Sequence, residues 1–267
     1  MWNWTHLGIF FGLSLLVCLC GFKKFVYFMS IGYGFSVAVI GAAMAVLGLT
    51  GAYGSLALAH YIQFALLVIY GFRLSGFLLI REIKSAAYRK TMEEVVGDES
   101  KMPIFVKVVM WLSVAVLYVS QTSGVAFRLF NGGETSLLQW IGIAVSAFGI
   151  WLEALADRQK SAQKAVRPDM VATQQLYKLV RCPNYFGEIL FWTGITLSAL
   201  DILQGVGQWI TVIIAYVLIV FIMFNGAQRL EKRQMARYGD NAEYKAYADS
   251  TPIIIPLLPI YHLNKQN

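Results

Sequence analysis

Charge is what this sequence has least of. Asp, Glu, Lys and Arg make up 14% of its 267 residues, while 58% are hydrophobic; a soluble domain carries roughly 25% charged residues. So little charge cannot cover so much apolar sequence, which excludes a soluble globule. Acids are the scarcer sign: 15 Asp and Glu stand against 22 Lys and Arg, a net charge of +7. In a soluble protein that excess would suggest nucleic acid. Here the bases flank apolar runs, where Lys and Arg hold the cytoplasmic side of a membrane, and no nucleic-acid partner is expected. Cysteine is scarce too. Cys18 and Cys20 fall in an apolar run and Cys182 in a basic stretch, too few and too badly placed for a disulfide framework or a zinc site. His6, His60 and His262 are scattered and suggest no metal site. No Pro/Ser-rich linker, low-complexity stretch or internal repeat divides the chain.

What is present is a series of long apolar runs. A helix needs roughly 20 apolar residues to cross the hydrocarbon core. The qualifying runs are 5–21, 25–49, 55–80, 104–126, 136–156, 185–200 and 208–225. A β-barrel would show short alternating strands instead. The expected fold is therefore all-α, a polytopic integral membrane protein of about seven transmembrane helices. Met1 to His6 carry no Lys or Arg, whereas Lys23 and Lys24 follow the first run. That order predicts a retained first span with its N-terminus outside rather than a signal peptide.

The remaining bases agree. With the N-terminus outside, nineteen of the 22 Lys and Arg fall in cytoplasmic segments, namely Lys23 and Lys24, the loop at 81–103, the loop at 157–184 and the tail after Asn225. Only Arg128 is left in an outer loop; Arg73 lies within the third run and Lys107 at the inner end of the fourth. The asymmetry predicts an odd number of spans and a cytoplasmic C-terminus. A site for a cytosolic ligand should then be built from the three inner pieces. The Pro-rich, apolar segment at 252–259 is expected to pack back at the interface.

Two stretches hold polar residues at membrane depth. The fifth run closes on Glu153, Asp157 and Lys160, with Lys164 one turn further on. Glu153 and Asp157 are four apart, hence on one helix face. A carboxylate inside the boundary is costly unless it is paired or lines a polar cavity; an interfacial charge cluster that simply ends the span is the plainer reading. Next comes Tyr177–Glu188, in which Pro183 disfavours helix at Cys182 and Asn184 is placed to cap the sixth span. The free N–H groups of such a helix end would seat a phosphate or another polar ligand. Glu188 lies one turn inside the membrane. In the third run, Tyr70 and Arg73 are three apart and share a face with Gln63. Arg73 is a functional candidate by its depth and a snorkelling side chain by the plainer reading.

Residues 151–188 resemble the C-terminal signature of the steroid 5-alpha-reductase-like membrane proteins, including the bacterial branch known as DUF1295. The matching residues are Glu153, Ala156, Asp157, Gln159 and Lys160, then Arg181, Pro183, Asn184, Tyr185, Gly187 and Glu188. Arg229, Glu231, Tyr238, Gly239, Tyr244, Tyr247 and Pro256 fit the closing part. The resemblance covers about 115 C-terminal residues well and the N-terminal half loosely. Two departures stand out: Cys182 replaces the usual His of that motif, and no Gln-Glu pair for the substrate carbonyl is visible in the second or third run.

The resemblance implies a single membrane domain with substrate-side helices over 1–126 and a cofactor-binding half over 136–267. It implies an NADPH-dependent oxidoreductase that reduces a conjugated C=C bond in a lipid enone taken from the bilayer, a 3-oxo-4-ene steroid first among candidates. Glu153, Asp157 and Lys164 would hold the nicotinamide–ribose and phosphate portions. Asn184 and Glu188 would position the amide and ribose, Arg229 would contact the cofactor, and Arg81 and Lys84 would reach its phosphates. Arg73, Lys160, Tyr177, Arg181, Glu231 and Tyr244 complete the implied cofactor set. Tyr70, assisted by Gln63, would polarise the substrate carbonyl and supply a proton; an ordinary packed aromatic is the plain alternative. The expected location is a bacterial inner membrane, with the cofactor site facing the cytoplasm. Two other readings stay open. Isoprenylcysteine carboxyl methyltransferases share a similar C-terminal half but use S-adenosylmethionine, and a non-enzymatic membrane protein could keep the same fold.

Overall fold

The computed structural model describes residues 2–84, 102–132 and 134–264. Arg89, Lys90, Lys101 and Lys265, counted above among the cytoplasmic bases, lie outside the described residues. Among those described, the chain is helical and has no strand. The helices are α1 (Trp4–Cys18), α2 (Ile31–Leu49), α3 (Leu58–Lys84), α4 (Ile104–Asn131), α5 (Leu137–Val166), α6 (Pro183–Leu197), α7 (Gly205–Tyr238) and α8 (Ala242–Ser250). Among the described residues, six helical stretches are long and apolar enough to cross a membrane: Trp4–Phe22, Phe25–Leu49, Leu58–Lys84, Ile104–Asn131, Leu137–Val166 and Gly205–Tyr238. The sixth expected span, α6, has 15 residues. At 1.5 Å per residue it is about 22 Å long, short of the roughly 30 Å hydrocarbon core.

The chain forms two compact units, residues 1–143 with 195–215, and residues 144–194 with 216–267. In the first, α2 and α3 pack at backbone distance. A Cβ at Gly34 would sit 2.6 Å from the Gly71 carbonyl oxygen, one at Gly41 would sit 2.8 Å from Leu67 Cβ, and one at Gly71 would collide with the Gly34 carbonyl. Apolar helices gain no hydrophobic drive to associate in lipid, so small residues that permit close van der Waals contact hold them together. Ser75 Oγ adds bonds to the carbonyls of Ser30 and Ile31, at 3.0 and 2.8 Å.

Helix α4 corrects one reading of the sequence. Arg128 is not an outer-loop residue, because α4 runs on to Asn131 and buries Arg128 to 1% exposure. Its Nε donates to the Ser198 carbonyl at 2.8 Å and Nη1 to the Glu134 carbonyl at 3.1 Å, and Nη2 pairs with Asp201. Hydropathy drops at Arg128, so the apolar run ends at residue 126; two of the polar partners that let the helix continue, Ser198 and Asp201, lie 70 and 73 residues downstream. Gly132, at φ +64°, then ends α4 in the left-handed conformation that glycine adopts most readily.

In the second unit, α5 and α6 also meet through glycine. A Cβ at Gly149 would lie 2.6 Å from the Gly187 carbonyl oxygen, and one at Gly187 would lie 2.6 Å from Glu153 Cγ. The expected cap of α6 shifts by two positions. The helix starts at Pro183, and Cys182 accepts the first intrahelical bond, from Phe186 N at 3.1 Å. Asn184 is thus a first-turn residue. Pro at the first position costs no bond, since its missing N–H would be unpaired there anyway. The tail packs back as expected: Arg181 N and Cys182 N donate to the Pro252 and Ile253 carbonyls at 2.8 and 2.9 Å, and Ile253 and Ile254 are buried. Asn241 caps α8, accepting from Glu243 N at 2.8 Å.

Candidate functional site

The second unit gathers most of the cofactor candidates. On α5, Glu153 is 2% exposed and Asp157 half-buried. The glycine contact explains the depth of Glu153, whose side chain lies where a side chain at residue 187 would otherwise stand. One turn into α6, Glu188 is buried as well. Tyr177 closes this region from the short 3-10 turn Gln175–Lys178, its hydroxyl donating to the Ala156 carbonyl at 3.2 Å. Burial, with Asp157 nearby, pushes the Tyr177 phenol up, so it stays neutral.

Cys182 sits at the electrostatic centre of the unit. Lys160, Arg181 and Glu231 all act on its thiol, which burial pushes up to about 11. Tyr185 feels Cys182, Arg233, Glu188 and Arg229 together. Asn184 is half-buried in the first turn of α6, where unpaired N–H groups and the helix dipole favour an anion or an acceptor. Carboxylates at membrane depth and cations at the helix ends suit a ligand with hydroxyl groups at one end and phosphates at the other.

Three candidates have work inside the fold. Lys164 Nζ donates to the Pro168 and Met170 carbonyls at 2.6 and 2.8 Å and to Tyr238 Oη at 3.2 Å, tying down the turn after α5. Arg181 and Glu231 form a buried pair at 2.8 Å. Arg181 also bonds the Tyr261 carbonyl, and Glu231 accepts from Leu263 N, Asn264 N and Asn264 Nδ2 at 2.8–3.0 Å. His262 bridges Glu231 and Asp249 at 3.1 and 2.9 Å. This pair therefore anchors the tail. Tyr244 is fully buried on α8 within reach of Arg181 and Glu231, and burial raises its phenol. Arg233 and Tyr247 were not singled out as cofactor residues. Arg233 lies one turn beyond Arg229, a spacing the sequence showed; Tyr247, which fits the closing part of the signature, donates its hydroxyl to the Tyr177 carbonyl at 2.7 Å.

The first unit holds the other candidates. Tyr70 is fully buried, and its hydroxyl donates to Tyr33 Oη at 2.9 Å. The Tyr33 ring lies 5.0 Å from that of Tyr118, whose hydroxyl donates to the Phe28 carbonyl at 2.6 Å. Gln63 lies two turns from Tyr70, about 10 Å along α3. Its amide is engaged with Ser198 Oγ at 2.6 Å and Gln139 Nε2 at 2.7 Å. Tyr33 escaped the sequence reading because its partnership depends on the α2–α3 glycine contact. Arg73 is half-buried, while Arg81 and Lys84 are exposed at the end of α3. Between them Glu82 is buried, paired with Lys24 Nζ at 2.7 Å and accepting from Tyr27 at 3.2 Å. Among the described residues, no three His, Cys, Asp or Glu form a group able to hold a metal ion.

A family model described as a protein of unknown function, DUF1295, matches residues 22–251. No curated protein and no solved structure matches the chain.

Proposed function

The chain belongs to the DUF1295 family, and from that premise we propose that it is a seven-span, NADPH-dependent membrane reductase of a conjugated C=C bond in a lipid enone, most simply a 3-oxo-4-ene steroid. The observation that carries the reading is the polar set of the second unit: Glu153 buried in α5 against Gly187 of α6, Glu188 buried in α6, Asp157 half-buried one turn beyond Glu153, and Asn184 in the first turn of α6. Buried carboxylates are costly and persist in membrane helices where they have a use. The resemblance of residues 151–188 to the steroid 5-alpha-reductase-like signature supports cofactor binding as that use.

The donor set fits a phosphorylated dinucleotide. Glu153, Asp157 and Glu188 offer acceptors for ribose hydroxyls and a carboxamide, Asn184 offers both donor and acceptor, and Lys160 and Arg229 offer positive charge to phosphates. Gly187 leaves the space that the Glu153 side chain occupies. The bound cofactor supplies hydride. In the first unit, the Tyr70 hydroxyl is assigned to the substrate carbonyl. There it stabilises the oxygen as charge develops on it and donates a proton. For that use the Tyr70 proton, which is donated to Tyr33 Oη in the structure, turns to the carbonyl oxygen, and the Tyr33 hydroxyl then donates to Tyr70 Oη.

The test is thermal stability of the detergent-purified protein titrated with NADPH, NADH and S-adenosylmethionine. A ligand that binds only the native state raises stability with the logarithm of its concentration above Kd. Stabilisation by NADPH that is lost in Asp157→Ala and Asn184→Ala is the expected result. A response to S-adenosylmethionine alone would overturn the reductase reading in favour of a methyltransferase.

A further inference from the structure

In the first unit Ser14 Oγ, Ser123 Oγ and Gln139 Oε1 are buried without a hydrogen-bond partner among the described residues, and Gln121 lacks one at both ends of its amide. Gln121 lies in α4 at 5% exposure. Other large polar side chains of the unit are better provided for. Gln63 is bonded at both ends of its amide, Gln208 accepts from Asn131 Nδ2 at 2.9 Å and from Gln204 N at 2.8 Å, and Arg128 is bonded through three nitrogens. Gln121 begins a stretch of α4, residues 121 to 129, that is buried throughout. The neighbouring Thr122 hydroxyl is turned back onto the Tyr118 carbonyl at 3.1 Å. A buried amide with both functions unsatisfied is costly, and such groups in native proteins call for a specific explanation.

Its place in the helix suggests the explanation. Gln121 is three residues after Tyr118, so the two share a face of α4 one turn apart. The Tyr118 ring packs on Tyr33, whose hydroxyl accepts from Tyr70. Gln121 therefore lies one turn beyond the tyrosine cluster, on the side of α4 that runs toward Arg128. A ketone would satisfy only the amide N–H. A hydroxyl satisfies both functions, accepting from Nε2 and donating to Oε1.

We infer that Gln121 binds a hydroxyl group of the lipid substrate, at a position other than the carbonyl assigned to Tyr70. The identity of that lipid rests on the reductase reading; the binding itself requires no cofactor. The experiment uses the full chain in detergent and two 3-oxo-4-ene steroids that differ in one hydroxyl at the ring farthest from the ketone, testosterone and its 17-deoxy analogue. Wild type is expected to bind the hydroxylated steroid roughly tenfold more tightly. The near-isosteric Gln121→Met is expected to erase that preference and, by removing an unsatisfied amide, to raise the Tm of the unliganded protein by a few degrees. Gln121→Asn keeps the amide but withdraws it by one methylene, and is expected to weaken the preference. Equal binding of the two steroids by wild type, no binding of either, or a preference that survives in Gln121→Met overturns the inference. A fall in the unliganded Tm of Gln121→Met also overturns it, because it reveals a partner within the fold. Failure of the reductase reading is distinguishable: NADPH then leaves the Tm unchanged while the steroid preference and its loss in Gln121→Met persist.

Discussion

Arg128 shows what a single charge does inside a bundle of apolar helices. Burying its charge is costly, and Asp201 together with the Ser198 and Glu134 carbonyls offsets that cost. Removing one partner of a buried pair strands the other and costs about 3–5 kcal/mol, whereas replacing both is often close to neutral. Arg128→Met should therefore lower the Tm sharply, and Arg128→Met combined with Asp201→Ala should recover part of the loss. A thermal melt of the two variants beside wild type decides this; a double variant no better than the single would mean that the carbonyl bonds carry the stabilisation. Nothing near residue 128 in the sequence announced this pair, because its partner lies 73 residues away. Glu153 and Glu188 were legible for the opposite reason: each stands inside an apolar run, where any carboxylate is conspicuous. The tail-anchoring use of Arg181 and Glu231 was not legible, since a motif match gives residue types and not the backbone that comes to meet them.

At the scale of the helix, glycine spacing decides which elements touch. Gly71 and Gly76 lie on the same helix, α3, yet a Cβ at Gly71 collides with the Gly34 carbonyl while one at Gly76 meets nothing within 4 Å. Gly71→Ala should force α2 and α3 apart, strain the Tyr70–Tyr33 hydrogen bond and destabilise by about 1–3 kcal/mol, the range for overpacking a tight contact. Gly76→Ala should be neutral or slightly stabilising, because alanine is the better helix former by up to about 1 kcal/mol. Comparing the two melting curves separates close packing from helix propensity, and equal effects would refute the packing argument. Helix existence could be read from hydropathy because every long apolar run has the same solution in lipid: a helix that satisfies its own backbone. Helix partners could not. Gly34, Gly41 and Gly71 look like Gly8, Gly12 and Gly76 in the sequence, and only the structure separates those in contact from those facing open space.

For the whole molecule, the number of crossings sets on which sides the termini lie. Among the described residues six helical stretches are long enough to span, and an even number would return the C-terminus to the side on which the N-terminus began. The basic residues argue for an odd number, since a topology with the N-terminus outside leaves nearly all Lys and Arg on one side. The seventh crossing must then be α6, whose 15 residues are few for a span. Its flanks lessen the deficit. The backbone continues beyond α6 through turns, Ala199 N and Leu200 N bonding the Thr196 and Leu197 carbonyls at 3.0 and 3.3 Å, and Ser198 and Ala199 are buried. Polar termini buried in protein do not need the full hydrocarbon thickness that a lipid-exposed helix does. The expected outcome is therefore opposite-side termini. Reporter fusions after Asn267 and before Met1, using a phosphatase active only outside and a fluorescent protein that matures only inside, should place the C-terminus in the cytoplasm and the N-terminus across the membrane. Both termini on one side would make α6 a re-entrant segment, and would move the start of α6, with Asn184 and Glu188, to a dead end inside the membrane instead of the mouth of a cytosol-facing site.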